Sequence, residues 1–169
     1  MRLPRDTRPG PWWRFLIITI LIGGGTGLAA VGAWRALHPP SMIPTNISES
    51  VSFQLFYPTA LPQGFSIDKT SFDSQHGIVV FSANGPHADH ISFTVQRRPP
   101  TFDYDTFYKQ GLSDATQFIT SNGQAAIGKA RQTVFGSLVA GESWVIVSPS
   151  SSSLSENDMK LIIMGLKKS

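Results

Sequence analysis

The stretch "GIVVFSANGPHADHISFTVQ", residues 77–96, decides the fold. Residues 90–96 alternate apolar and polar side chains, which is the period of a strand with one buried face. Residues 77–83 form a second short apolar run, and the connector "NGPHAD" is rich in the residues that hairpin loops favour. The stretch therefore predicts two antiparallel strands joined by a loop.

Similar short runs, separated by turn signals, lie on both sides of this hairpin. They predict further strands at 51–57, 65–72, 116–120, 124–131, 132–140 and 143–148. "TFDYDTFYKQGL", residues 101–112, predicts a short helix. Ser153 and Glu156 have the spacing of a capping box, which predicts a second helix near the C-terminus. The fold class expected is α+β, with an antiparallel sheet of about seven to eight strands packed with two helices.

The segment "FQLFYPTALPQGFSI", residues 53–67, predicts the first corner of the sheet. Pro58 lacks a backbone donor and can close a strand, and residues 61–64 suit a type I turn with Pro62 second and Gly64 fourth. The alternative is an aromatic binding groove, which requires Tyr57 and Phe65 to be exposed together beside the turn.

Residues 15–34, "FLIITILIGGGTGLAAVGAW", carry no charge and predict one N-terminal transmembrane helix. Twenty helical residues span about 30 Å, the thickness of the hydrocarbon core. Interface anchors are expected at both ends of the span, namely Trp12, Trp13, Arg14, Trp34 and Arg35. Four arginines precede the span and one follows it closely, so the N-terminus is expected in the cytoplasm.

This topology predicts four regions of the chain. A short basic cytoplasmic tail (1–14) and the transmembrane helix (15–34) are followed by a proline-rich linker (35–50) and an extracytoplasmic domain (51–169). The expected location is the cell membrane, as a single-pass protein. The alternative is a secreted protein, released by signal cleavage near Ala33.

Small residues recur every fourth position within the predicted span. This small-x-x-x-small pattern lets helices approach closely and predicts contact with a second membrane helix. The residues concerned are Gly23, Gly25, Gly27, Ala29 and Ala33. The membrane itself and another envelope or membrane protein are therefore the expected partners.

Charge argues against a nucleic-acid partner. Residues 1–35 hold five of the 14 basic residues and one of the 11 acidic residues, so residues 36–169 hold nine basic and ten acidic side chains. A nucleic-acid-binding domain needs a basic face, which a nearly neutral domain does not supply. The chain contains no cysteine, so its core must hold without disulfides.

The order of the turn and core segments resembles a known bacterial family. "YPTALPQGF", "GIVVFSA", "ESWVIVS" and the terminal "LIIMGLKK" are similar to small single-span extracytoplasmic domains of unknown function, of the YP-x-x-LP-x-GF type. The strand order also resembles the PsbP-like α-β-α sandwich. This resemblance implies a fold and an exported location, and it implies no activity.

Histidines provide the first candidate site. His87, Asp89 and His90 lie within four residues, and Asp73 and His76 lie in the preceding hairpin. If the two loops met, a zinc ion would find three or four ligands. The alternative is that polar loops contain these residues because turns and water favour them, and no metal or other cofactor is expected.

Other chemically active pairs have structural explanations. Ser66 and Lys69 fit Ser-x-x-Lys only on a helix, and they lie on a predicted strand. Asp103 and Asp105 suit a helix N-terminus. Arg97 and Arg98 are interpreted as gatekeepers on an edge strand.

The aromatic residues of 102–108 are expected to dock the short helix on the sheet. Phe102 and Phe107 are predicted to be buried, whereas Tyr104 and Tyr108 are left open between burial and exposure at a partner surface.

The function expected from these patterns is a non-enzymatic binding or envelope-assembly module, with no catalytic residue assigned. One alternative is an exported hydrolase or metal-dependent enzyme that uses the loops of His76, His87 and His90. A second is a carrier of lipid or a small apolar ligand, which needs a large cavity between sheet and helix.

Overall fold

A seven-stranded antiparallel sheet dominates the computed structural model, which describes residues 42–130 and 132–169. In chain order the elements are α1 (Thr45–Glu49), β1 (Phe56–Pro58), β2 (Ser66–Gln75), β3 (Ile78–Asn84), a 3-10 turn (Pro86–Ala88), β4 (His90–Arg97), α2 (Tyr104–Gly111), β5 (Ser113–Ile119), β6 (Gln124–Ala130), β7 (Thr133–Ala140), β8 (Ser143–Pro149), α3 (Glu156–Met164) and β9 (Leu166–Lys168). The predicted α+β class is confirmed.

The main sheet consists of two meanders joined at its centre. Its strand order is β2-β3-β4-β8-β7-β6-β5, and every neighbouring pair is antiparallel. The predicted hairpin forms β3 and β4, with Phe81 opposite Phe93. β4 then pairs with β8, with Phe93 opposite Val147, so this hairpin lies at the join between the meanders.

One face of the sheet carries the core. Alternate side chains of the central strands point to this face and are buried, including Val79, Phe81, Ile91, Phe93, Val95, Leu138, Val145 and Val147. α3 covers this face where Gly136 leaves room for it. A Cβ at Gly136 would lie 2.6 Å from the Met159 sulfur and 2.9 Å from Ile163.

The capping box of α3 lies two residues later than predicted. Ser155 caps the helix by accepting from the Asp158 amide, and Asp158 accepts in return from the Ser155 amide. The side chain of Ser153 instead donates to Asp89 at 2.9 Å. Leu154 and Met159 flank the observed box, and both are buried. This apolar pair selects Ser155 among the neighbouring serines.

The prediction of a first strand at 51–57 is wrong in extent and in pairing. β1 is only three residues long and pairs with β9, outside the main sheet. The expected alternation fails because Leu55 and Phe56, which are adjacent, are both buried. Pro58 ends the strand as predicted.

The corner after β1 turns one residue later than predicted. The Phe65 amide donates to the Pro62 carbonyl at 3.1 Å, and Gly64 is third in the turn with a φ of +85°. A positive φ at the third position is the requirement of a type II turn. Phe65 packs on Gly85, where a Cβ would lie 2.3 Å from its ring. Tyr57 and Phe65 are both half-buried, so they form no exposed groove.

The predicted linker 35–50 is corrected at its C-terminal end. Residues 45–49 form α1, and Ile43 and Ile47 are only 2% and 7% exposed within the core. An apolar pair four residues apart anchors this turn of helix, despite the prolines around it. The domain therefore includes residues that the sequence pattern assigns to the linker.

The N-terminal predictions (the tail, the transmembrane helix with its anchors, the small-residue contacts and linker residues 35–41) lie outside the described residues. Within 42–130 and 132–169, no helix combines the length and the apolar character needed to span a membrane.

Candidate functional site

α2 lies on the face of the sheet opposite α3, and it contacts β5 and β6. A Cβ at Gly128 of β6 would lie 2.8 Å from Leu112, which follows the helix. Gly128 pairs with Phe135, one position from Gly136, so α2 and α3 cover opposite faces. The described domain thus has three layers, and α2 covers only the β5 and β6 side of its face of the sheet.

The start of α2 confirms the structural interpretation of its two carboxylates. Asp103 is the N-cap and accepts from the Asp105 amide at 3.0 Å. Its other oxygen accepts from the Thr106 hydroxyl at 2.6 Å, and hydrogen bonds from Thr106 lower the pKa of Asp103. Asp105 lies in the first helical turn, where negative charge is favourable.

An aromatic cluster joins α2 and its preceding segment to β8. The rings of Phe102 and Phe107 lie 4.4 and 5.3 Å from the ring of Trp144. The Trp144 indole N–H donates to the Ser137 hydroxyl at 2.9 Å, which satisfies its polar atom. Phe102 and Phe107, which were predicted to be buried, are half-buried. These rings pack α2 against the sheet and are named the aromatic cluster. Its members are Phe102, Tyr104, Phe107, Tyr108 and Trp144.

Two phenols are buried beneath α2. Tyr108 is 1% exposed, and its ring lies 4.1 Å from that of Tyr104. Neither hydroxyl has a hydrogen-bond partner among the described residues. Burial raises the pKa of both phenols. The Ser137 hydroxyl partly offsets the rise in the pKa of Tyr108, although it lacks the geometry of a hydrogen bond to that phenol.

Tyr108→Phe is expected to stabilise the domain by about 1 kcal/mol, because it keeps the ring and removes a buried hydroxyl that lacks a partner. Urea unfolding followed by circular dichroism measures the change. Tyr57→Phe, at a half-buried tyrosine outside the cluster, is the control and should change stability by less than about 0.5 kcal/mol. A loss of stability in Tyr108→Phe alone would show that the phenol is bonded.

Stability is also expected to fall in alkali because the two phenols must ionise on unfolding. Their folded-state pKa values lie above the ordinary value. The contribution of the neutral, buried phenols to the free energy of unfolding is therefore fully present below about pH 10 and is lost as the pH rises further. Unfolding curves between pH 8 and 12 measure this. The double variant Tyr104→Phe and Tyr108→Phe should flatten the decline, and an unchanged slope would contradict the assignment.

Among the described residues, no helix packs on the other side of this face, which is named the open half-face. It consists of the outward side chains of β2, β3 and β4, namely Ser66, Asp68, Asp73, Gln75, Ile78, Val80, Ser82, Asn84, His90, Ser92, Thr94 and Gln96. Ile78 and Val80 are 37% and 38% exposed, although the inward Val79 between them is fully buried. Ile146 of β8 pairs with Thr94 and extends the surface towards α2.

The open half-face is apolar on β3 at the end nearest the β2–β3 turn and polar around and beyond it. Asp73 and Gln75 pair with Val80 and Ile78 across the sheet edge. Together with His76 they line a shallow depression of about 300 Å³. Asp68 and Asp73 are the carboxylates of this face among the described residues, and the Asn84 amide donates to Asp68 at 3.2 Å. Apolar groups within a ring of hydrogen-bonding groups suit contact with another protein.

The structure separates the two histidine loops. His76 lies in the turn between β2 and β3, and His87 lies between β3 and β4, so they occupy opposite ends of β3. Seven strand residues at about 3.3 Å each put the loops roughly 20 Å apart. Asp89 accepts from Ser153, and the His90 amide donates to Ser150. Throughout the described residues, no three histidine or carboxylate side chains are grouped to hold a metal.

The arginine pair is not on an edge strand, which corrects the gatekeeper interpretation. β4 lies between β3 and β8, and Arg97 pairs with Ser143. The Arg97 guanidinium forms an ion pair with Glu142 at 2.9 Å, with both side chains largely exposed. An exposed pair contributes about 0–1 kcal/mol, so its role is local.

No protein-family model matches the chain, and no curated protein is similar to it in sequence.

Sequence reasoning missed the open half-face. The run "IVVF" is typical of a strand buried on both faces, whereas in the described part of the chain α2 packs on β5 and β6 and does not cover Ile78 and Val80. The aromatic cluster does have a signal in the spacing of residues 102–108, since aromatic residues at helical spacing indicate a docked helix.

Proposed function

We propose that this chain is a membrane-anchored extracytoplasmic module that binds a protein partner through the open half-face and performs no catalysis. The observation that carries the proposal is the exposure of Ile78 and Val80 on the half of the face that α2 does not cover. Exposed apolar residues within a polar rim mark docking surfaces.

The exported location in this proposal follows from the sequence. Residues 15–34 have the length and apolar character of a single span, and the arginines before them favour a cytoplasmic N-terminus. The exported domain is large enough to hold its core without disulfides, and its nearly neutral charge favours no nucleic-acid partner. Assembly of an envelope complex is the role that these features support.

The two alternative functions find less support. An enzyme built on His76, His87 and His90 requires loops that meet, and these loops lie at opposite ends of β3. A lipid carrier requires an empty space between sheet and helix. In the part of the chain described, the rings of Phe102, Phe107 and Tyr108 fill the space beneath α2.

The test is the size of the complex that the full chain forms in its own membranes. Native gel electrophoresis of mildly solubilised membranes should show the wild type well above the monomer. Val80→Asp should shift it to the monomer, because a buried carboxylate without a partner disrupts an interface by several kcal/mol. Leu161→Asp is the matched control, since Leu161 is 46% exposed on α3 and its variant should migrate as the wild type does.

Two results would contradict the proposal. One is a wild-type chain that migrates as a monomer, and the other is a Val80→Asp variant that keeps the complex intact. Circular dichroism of both variants shows whether a shift reflects lost binding or lost folding.

A further inference from the structure

β5 (Ser113–Ile119) forms one edge of the main sheet, and no strand of the described residues pairs with it on the side away from β6. The Thr120 amide donates to the Gly123 carbonyl at 2.9 Å, so the backbone groups of Thr120 face β6. Along an antiparallel strand, the residues whose backbone groups face the partner alternate with residues whose groups point away. The N–H and C=O groups of Gln117 and Ile119 therefore point away from the sheet and form a row along its outer edge.

This edge lacks the features that block pairing with another strand. Residues 115–123 contain no proline and no charged side chain. Every side chain of β5 except that of Phe118 is exposed, and Ile119 is 79% exposed, more than any other large apolar residue in the described part of the chain. The bulge of β5 lies between Ser113 and Thr116, and the register is regular beyond it. An uncharged, regular edge is a template for strand pairing.

The opposite edge of the sheet is protected. β2 carries Asp68, Lys69 and Asp73, and its register shifts at a bulge between the two aspartates. α1 packs beside β2, and the hydroxyls of Ser50 and Ser74 are hydrogen-bonded at 2.7 Å. Charges, a bulge and a covering element are the usual means of protecting an edge strand. The contrast makes β5 the edge at which this sheet can accept another strand.

An unpaired cation beside β5 specifies the charge of such a strand. The Lys160 ammonium of α3 lies 5.6 Å from the centre of the Phe118 ring, and it forms no ion pair with any described residue. Phe118 packs against the core, so a residue opposite it on an added strand projects to the same face, next to this ammonium. An acidic side chain there would pair with Lys160. Ile119 points to the other face, where an apolar side chain opposite it would cover its exposed surface.

We infer that β5 binds an extended segment of a partner protein, which adds to the seven-stranded sheet antiparallel to β5. The segment carries an acidic side chain opposite Phe118 and an apolar side chain opposite Ile119. Strand addition takes its affinity from main-chain hydrogen bonds and its specificity from alternate side chains. This edge is separate from the open half-face, so the inference goes beyond the proposed function.

A second copy of this chain fits the edge poorly. Two β5 strands paired at Phe118 would bring the Lys160 ammonium groups of both copies to the same pair of rings, where like charges repel. The carboxylate that β5 itself carries, Asp114, lies 3.7 Å from the Lys129 ammonium and is already paired. The charge of this edge therefore favours an acidic segment of another protein.

A short peptide tests the inference. The probe is a fluorescently labelled Thr-Thr-Val-Glu-Val-Thr-Thr with blocked ends, whose glutamate lies opposite Phe118 when its valines pair with Gln117 and Ile119. Fluorescence anisotropy with the full-length chain in mild detergent should show saturable binding at millimolar peptide or below. Methylation of the two valine amides, or lysine in place of the glutamate, should weaken binding by about tenfold or more.

Variants of the chain test the same contacts from the other side. Ile119→Pro removes an N–H that points to solvent and leaves the bonds to β6 in place, so it should weaken binding by about tenfold or more. Ile119→Thr keeps this N–H and is the matched control, with a smaller loss. Lys160→Glu should reverse the preference, so that the lysine peptide binds better than the glutamate peptide.

The outcomes separate this inference from the proposed function, because Val80→Asp should leave binding of the probe unchanged. Equal binding by the wild type and Ile119→Pro, or no binding at millimolar peptide, would overturn the inference. A wild-type dimer that Ile119→Pro abolishes without peptide would make a second copy the occupant and would also overturn it. The methylated peptide needs no change in the protein, so full binding of that peptide overturns the inference even if a variant fails to fold.

Discussion

Phe93→Ala is expected to lower the free energy of unfolding by about 3–5 kcal/mol, the usual effect of removing a fully buried aromatic ring. Phe93 has no exposed surface and stacks on Phe81 with ring centroids 4.9 Å apart. Phe81 in turn stacks on Phe72 at 4.7 Å, so the three rings form one column across β2, β3 and β4. Chemical denaturation measured by circular dichroism gives the value.

Thr94→Ala provides the control for this prediction. Thr94 is the next residue on β4, it points to the open half-face, and it is not buried. Its substitution should change stability by less than about 1 kcal/mol. Similar losses in the two variants would mean that the core does not lie on the face assigned to it.

Gly123→Ala is expected to lower stability by at least about 2 kcal/mol because the β5–β6 turn has no room for a side chain. A Cβ would lie 2.1 Å from the Val139 carbonyl oxygen, which is a backbone atom and cannot rotate away. The turn also holds β9, since the Asn122 side chain donates to the Leu166 carbonyl at 2.7 Å. A shifted turn therefore weakens the small sheet as well.

Gly141→Ala is the matched control for the turn. Gly141 has a φ of +60°, and a Cβ there would meet no atom within 4 Å. Its substitution carries only the strain of the left-handed conformation, about 1–2 kcal/mol. If thermal unfolding ranked Gly141→Ala as the more damaging change, the crowding at Gly123 would be refuted.

Local patterns predicted the large sheet well. β3 and β4 are neighbours in the chain, and the alternation of residues 90–96 survives in the structure because one face packs on the core. The small sheet is different, since β1 and β9 are three residues each and lie near opposite ends of the domain. Among the residues that pair between β1 and β9, Pro58 and Leu166 are the least distant in sequence, and they are 108 positions apart. No local pattern encodes a contact between such short and distant segments.

The Ser-rich stretch before α3 shows a second limit of local patterns. Several serines between 150 and 155 precede acidic residues, so more than one capping box fits the sequence. The structure selects Ser155 with Asp158 because this register buries Leu154 and Met159. Packing against the sheet, which the local pattern does not contain, decides between the serines.

The candidate site depends on topology more than on motifs. Successive turns of a meander lie at opposite ends of the strand they share, which is why His76 and His87 are separated by the length of β3. The open half-face exists because α2 packs on β5 and β6, so that no helix of residues 42–130 and 132–169 covers this face of β2, β3 and β4. Neither the outward position of Val80 nor its exposure is visible in the sequence alone.

The central claim is that the domain lies outside the membrane with its open half-face covered by protein, and maleimide labelling tests it most directly. Full-length Val80→Cys and Leu161→Cys are each treated in intact cells with a membrane-impermeant maleimide, before and after solubilisation in denaturant. We expect Leu161→Cys to be labelled in both states and Val80→Cys only after solubilisation. Equal labelling of both variants in intact cells, or of neither, would contradict the claim.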